Sequence, residues 1–277
     1  YGTDGSTFMV GIKENNFNGN GVKLDANLVL TDQAIKGKFA YTTPNFAYSD
    51  RSLTTSLEST SIDKEKDYGY KSSLNKILIG TSFEQYENFY LSPSFSIVQE
   101  NLTTTAKASA NYKKQEGSYF DALLNYSISY NTLNSSFRPS SGLVSIFSQE
   151  LPILSDGYNL VNGYQITGYK EVADDSILAM GIYTRAVNTL QSDVDARVSK
   201  RMFLPSSKLR GFESGKIGPK DGRDFVGGNY MASFNTSLTL PFLFPTYDNV
   251  DFSIFFDAAN VWHVDYSKNV DQSNSVR

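Results

Sequence analysis

Cysteine is absent from the 277-residue chain, which removes disulfides, thiolate metal sites and a cysteine nucleophile together and leaves the redox compartment open. Histidine and tryptophan each occur once. No run approaches the ~20 consecutive apolar residues that a membrane-crossing helix needs. Basic charge is short as well: 25 Lys and Arg against 29 Asp and Glu leave a net charge of −4. Such a balance lacks the basic footprint of a phosphate-binding surface and disfavours nucleic acid as a partner. The chain opens at Tyr1 without a basic, apolar leader, so processing or truncation is expected to have removed what came before.

Aromatic residues, by contrast, are plentiful. There are 18 Tyr and 19 Phe, charged residues make up only 19%, and mean hydropathy is −0.34. This mixture is too polar for helical spans and rich in strand formers. Alternation with a period of two dominates the chain. Phe120, Ala122, Leu124, Tyr126, Ile128 and Tyr130 fall on one face and Asp121, Asn125, Ser127, Ser129 and Asn131 on the other. Tyr230, Ala232, Phe234, Leu238 and Leu240 oppose Asn229, Ser233, Asn235, Ser237 and Thr239 in the same way. Val250, Phe252, Ile254, Phe256 and Trp262 oppose Asp251, Ser253, Asp257 and Val261, and Val22 to Leu30 repeats the pattern. A soluble antiparallel sandwich also alternates. These runs, however, reach about ten residues rather than the usual five or six, and their polar face carries Asn, Ser and Asp. Long strands with an apolar outside and a wet inside fit an antiparallel transmembrane β-barrel. Tyr, Phe and Trp262 at strand ends would then form interfacial girdles.

Turn signals separate the runs at 16–21, 43–51, 137–142, 151–158 and 241–248. Longer polar segments at 63–71, 100–118 and 189–228 are read as loops, with short turns expected at the opposite end of the barrel. The count is about twelve to thirteen strands in one domain spanning 1–277, with no internal repeat of solenoid length. The segment 209–230, LRGFESGKIGPKDGRDFVGGNY, interrupts the alternation with glycine and charge.

The chain resembles, along essentially its whole length, the barrel of BamA-type outer-membrane protein assembly factors, in the bacterial surface antigen superfamily. The most specific motif is that of the sixth extracellular loop, present here as Leu209-Arg210-Gly211-Phe212, then Ile217-Gly218-Pro219-Lys220, then Gly227-Gly228-Asn229. Arg-Gly-Phe alone would be weak and fit an ordinary solvated loop; three ordered blocks in one loop are specific. The resemblance implies a loop folded back into the barrel lumen, its arginine meeting acid on the inner wall. Asp257 shares the parity of the polar residues and is the partner expected for Arg210, in a charge-assisted pair. Gly211 is expected to give the turn, Phe212 to pack as an anchor, and Pro219 to stiffen the return. Where the family often offers a second acid, this chain has the uncharged Ser237, and in place of a glycine pair before the motif stands FLPSS at 203–207.

The family barrel has sixteen strands, so the chain is expected to be an incomplete barrel lacking final strands, most of the first strand and the periplasmic POTRA domains. The resemblance further implies insertion of client β-barrel proteins into the outer membrane of a Gram-negative bacterium, by strand pairing at a lateral seam and without chemistry, nucleotide, cofactor or metal. Partners implied are unfolded outer-membrane protein clients, outer-membrane lipids, and periplasmic chaperones and accessory lipoproteins reached through POTRA domains. A two-partner-secretion or TamA-like translocation barrel, or a passive pore, is the alternative. An enzyme is disfavoured. His263 stands alone beside Trp262 and Asp265 with no nucleophile motif. Asp174 and Asp175, and Asp63 to Asp67, read as solvated turn and loop residues without metal-ligand spacing.

Overall fold

The computed structural model describes residues 6–66, 69–173, 175–192, 194–222, 224–240, 252–265 and 270–271. Among them, twelve strands form one antiparallel sheet in which sequence neighbours pair throughout. They are β1 (Thr7–Phe17), β2 (Val22–Thr31), β3 (Ala34–Thr43), β4 (Ser52–Lys64), β5 (Tyr70–Tyr86), β6 (Phe89–Thr104), β7 (Gly117–Asn131), β8 (Ser141–Ser155), β9 (Asn159–Ala173), β10 (Ser176–Thr189), β13 (Tyr230–Leu240) and β14 (Phe252–Trp262). The sheet is open, with β1 and β14 as its edges. A second, three-stranded sheet joins β11 (Lys220–Asp221) to β12 (Asp224–Phe225) and to β15 (Val270–Asp271). No helix among the described residues is long and apolar enough to cross a membrane, which says nothing of strands.

The alternation read from the sequence becomes two faces. In β6, Ser96, Val98, Glu100 and Leu102 are buried while Phe95 and Ile97, between them, stand exposed. The exposed face continues across the ladder, since Phe39 pairs with Leu57, Leu57 with Ile77 and Ile77 with Ile97. Each of these four side chains is well exposed. An apolar band of that extent is foreign to a soluble monomer and suits hydrocarbon. Phe89, Leu91, Pro93, Phe95 and Ile97 share the outer face of β6. Their eight steps at the strand rise cover about 27 Å, close to the ~25 Å apolar band of outer-membrane barrels.

Above Ile97 the same outer face carries Gln99, Asn101 and Thr103. Here the structure corrects the sequence reading, because 100–104, 63–64 and 70–71 are strand rather than loop. Apolar alternation ends where the membrane does, whereas the ladder continues upward: Asn101 still pairs with Ser73 and with Ser118. Residues 151–155 are likewise strand, with Pro152 accommodated opposite the bulge between Ala122 and Leu123. Connection length is also less segregated than expected. Among the described residues the two longest connections, 105–116 and 190–229, lie at one end, yet they share it with the short turns 32–33 and 156–158. The turn expected at 241–248, the residues Val250 and Asp251, Asp174 of the acidic pair, and Asp67 lie outside the described residues.

The core lies inside the sheet's curve, built around the long loop. One buried cluster joins Ala196, Met202, Leu204, Leu209 and Ile217 of the loop to Val161, Val187, Met231, Ala259 and Val261 on the inner faces of β9, β10, β13 and β14. A second joins Val198 and Val226 of the loop to Tyr70, Leu102, Ala108, Tyr112 and Val264. Each fully buried Val, Leu or Ile contributes about 1.5–3 kcal/mol, so the loop is held as firmly as a structural element. A one-turn helix, Ala110–Lys113, caps this packing: the Tyr112 hydroxyl donates to the Phe225 carbonyl at 3.3 Å, and its ring meets Tyr70 edge-on at 5.1 Å.

Candidate functional site

Loop 190–229 enters the lumen and is tied to its wall by three arginines. Arg210 reaches Asp257 on the inner face of β14. Its Nε donates to Oδ2 at 2.7 Å and its Nη2 to Oδ1 at 2.6 Å, while its backbone N–H donates to Oδ2 at 3.0 Å. This fork-to-carboxylate geometry is the strong form of the pair. Asn235 of β13 supports it, donating to Asp257 Oδ1 at 2.8 Å and to the Lys208 carbonyl at 2.9 Å. The guanidinium also lies 3.8 Å from the centre of the Phe255 ring. The hydrogen bonds to Asp257 hold the Arg210 proton more tightly than in a free arginine, against the opposing effect of burial. Ser237 lines the same recess, but Asn235 is the residue that reaches the pair.

The other motif residues divide sharply. Gly211 has φ of 84°, the left-handed conformation that a turn here needs and glycine adopts freely. Ile217 and Pro219 are buried. Gly218 sits so close to β14 that a Cβ would stand 3.0 Å from the Val261 side chain, and one on Gly228 would stand 2.6 Å from the Trp262 carbonyl oxygen. Lys220 places its ammonium 4.4 Å from the Phe225 ring centre. Phe212 departs from expectation: it is 43% exposed and anchors nothing. Its neighbour Leu209, 2% exposed, takes that place, because Leu209 precedes the turn at Gly211 and still faces the wall.

Two further arginines, which the sequence offers only as a basic stretch at 197–208, prove more deeply buried than Arg210. Arg197 is 4% exposed. Its Nη2 donates to Asp121 of β7, its Nη1 lies 3.5 Å from Glu100 of β6, and the Tyr119 ring covers it at 4.7 Å. Glu100 also accepts from Ser72 at 3.1 Å and from Ser199 at 2.8 Å, and Asp121 accepts from Ser155 at 2.5 Å. Arg201 donates to the Ala196 carbonyl at 3.1 Å and Asn229 Oδ1 at 3.0 Å, and pairs with Asp265 just beyond β14. Asp265 in turn accepts from the Ala196 N–H at 2.9 Å and Asn229 Nδ2 at 3.2 Å. Burial works to raise the Asp265 carboxyl, but the Arg201 charge and these hydrogen bonds outweigh it and hold it below the usual range. Burial and the nearby Asp265 charge push Asp195 the other way.

The signals that could have found these anchors are unequal. Asp121 lies on the polar face of its run and calls for a cation, but nothing in sequence spacing links it to Arg197. Asn229 belongs to the third motif block, and its side chain is what ties that block to Arg201. His263 takes a left-handed turn, with φ of 63°, and its carbonyl accepts from the Asn229 N–H at 2.7 Å. Its ring lies 5.4 Å from that of Tyr230, which also meets Trp262 at 5.9 Å, an aromatic cluster at the upper rim of the apolar band.

Comparison with known proteins places this geometry. A SAM50-like protein of Schizosaccharomyces pombe is 28% identical over 147 residues, which is 50% of this chain and 30% of the relative. The crystal structure of BamA from Haemophilus ducreyi lacking POTRA domains 1–3 superposes with a TM-score of 0.83 at 22% identity, covering 94% of this chain and 56% of that one. CdiB from Acinetobacter baumannii gives 0.55 at 13% identity, covering 93% and 47%. The chain thus spans less than two thirds of each. Residues 16–276 match the Omp85 superfamily domain, and the chain belongs to the Omp85 superfamily.

Proposed function

We propose that this chain is the wall and luminal strut of a barrel that folds and inserts client β-barrel proteins into an outer membrane. The observation that supports the reading is the LRGF loop seated in the lumen with Arg210 forked onto Asp257. In this role the loop braces β13 and β14 against the opposite wall, β6 and β7, while a lateral seam opens. An incoming client strand pairs at that seam by β-augmentation, which spares it the cost of unpaired backbone in lipid. No chemistry, nucleotide or cofactor enters the cycle. POTRA domains, with the chaperones and lipoproteins they recruit, belong to this reading, and so does residence in a Gram-negative bacterium. The S. pombe relative makes a eukaryotic outer membrane an equal candidate.

The test is reconstitution of the full-length protein carrying this chain in liposomes, with a denatured client barrel added and its folding followed by heat-modifiable gel migration. Faster client folding than in empty liposomes, reduced by Arg210→Ala, is expected. Conductance or polypeptide export without client folding would instead assign the protein to translocation or passive transport.

A further inference from the structure

Away from the three arginine anchors, the inner wall carries a recess of about 180 Å³ between β5 and β10. Its floor follows one line of the ladder: Ser92 pairs with Ser127, Ser127 with Ser148, Ser148 with Gly163, and Gly163 with Arg185. Gly163 has a steric reason to be glycine. A Cβ there would stand 2.7 Å from Ser148 Oγ and 3.9 Å from Arg185 Nε, so its absence lets the arginine lie along the row toward the serines. Lys76 lines the recess from β5. Neither Arg185 nor Lys76 has a carboxylate within ion-pair distance among the described residues; Glu58, opposite Lys76 in register, is drawn to Lys38 at 3.3 Å. Glu150, the one acid in the lining, is engaged by Lys200 at 3.6 Å.

Hydrogen-bonding capacity is unspent here too. The hydroxyls of Ser94, Ser127 and Ser148 have no protein partner among the described residues. Asn125 donates to Ser96 at 2.9 Å, and its buried side-chain oxygen has no partner in the protein. The amide can reverse, accepting from Ser96 and turning its NH₂ into the recess. Two cations facing a row of hydroxyls and an amide make a complement to a small oxyanion, and a net positive lining in a chain of net charge −4 is not what bulk composition would place there.

We propose that this recess binds a small oxyanion, phosphate or carboxylate, between Arg185 and Lys76 over the serine row. The site stands whether or not the protein inserts client barrels. The experiment uses the full-length protein in nanodiscs, titrated calorimetrically with inorganic phosphate and, separately, with a short peptide ending in a free carboxylate or in an amide. Saturable phosphate binding, weakened at least tenfold in both Arg185→Gln and Lys76→Gln, identifies a site for the free anion. Binding of the carboxylate peptide but not of its amide, with the same losses in the variants, identifies a polypeptide carboxylate as the occupant. Equal binding by wild type and both variants, displacement by chloride at equal concentration, or no saturable binding of any probe overturns the proposal. Heat-modifiable migration reports folding; should Arg185→Gln fail to fold, Lys76→Gln, on a different strand, decides.

Discussion

Replacing Arg197 by methionine keeps the apolar stem of the side chain and removes its charged head, leaving Glu100 and Asp121 with no cation between them. Both carboxylates are essentially sealed, at 2% and 1% exposure, so water cannot replace the lost partner. Breaking a buried pair in this way costs about 3–5 kcal/mol, which corresponds to a roughly 150- to 5,000-fold rise in the population of the detached loop. Arg210 is a weaker anchor by the same reasoning. Its side chain is 37% exposed against 3% for Asp257, water reaches the pair, and Arg210→Ala should cost about 1–2 kcal/mol, between the values for exposed and sealed pairs. Proteinase K cleavage within 190–229 reads the open population when reclosing is fast, and heat-modifiable migration confirms that the strands remain folded. Adding Glu100→Gln and Asp121→Asn to Arg197→Met should recover most of the loss, because no buried charge is then left unpaired. Cleavage of Arg197→Met no faster than that of Arg210→Ala would falsify the view that the loop's main anchor lies on β6 and β7.

Three further outcomes follow from the same geometry. Gly228→Ala forces a Cβ to within 2.6 Å of a strand carbonyl, a backbone contact that no rotamer relieves, and should destabilise the seated loop by at least the ~1–3 kcal/mol of an overpacked site, seen as a lower thermal midpoint of loop release; a neutral result would show that the loop backs away freely. Asp265, whose folded carboxyl is held below the usual range, lends stability that is present above its unfolded value of about 3.9 and lost as pH falls through the depressed folded one. The protection gap between wild type and Asp265→Asn should therefore be constant near neutrality and close in acid, with Asp195, shifted the other way, relieving part of the wild-type loss. Ile217→Ala should loosen the loop by about 2–5 kcal/mol, whereas Phe212→Ala, at an exposed position, should leave protease protection unchanged while any effect on client folding reports a contact made outside the resting structure.

Most of the sheet was legible because its physics is local. A strand facing lipid on one side and water on the other must alternate, and Phe120 to Asn131 or Tyr230 to Leu240 can be oriented residue by residue from that requirement alone. The same logic failed above the membrane. At Asn101 and Ser73 the outer side of the strand has left the lipid and needs no apolar residues, so the apolar-out alternation vanishes although the ladder persists. Period-two patterning records the solvent on each face, and backbone pairing leaves no such trace.

The core was harder to read for a related reason. Met231, Ala259 and Val261 sit on faces that lower down carry Ser, Asn and Asp, Val161 on one that carries Gly, Gln and Thr, and Val187 just above Arg185; taken singly each looks like a slip in the pattern. They are apolar because the loop covers them: Leu204, Leu209 and Ile217 convert the upper lumen from water into protein interior. The charged anchors obey the same rule. Asp257 could be assigned to Arg210 because strand parity aimed it inward and the motif supplied a partner. Asp121 was aimed inward just as clearly, yet its partner lay 76 positions away in a loop whose path no periodicity encodes. Inward-facing apolar residues and inward-facing acids at the same height of such a sheet are therefore one signal, marking where a loop fills the lumen, and here both converge on the span between Arg197 and Asn229.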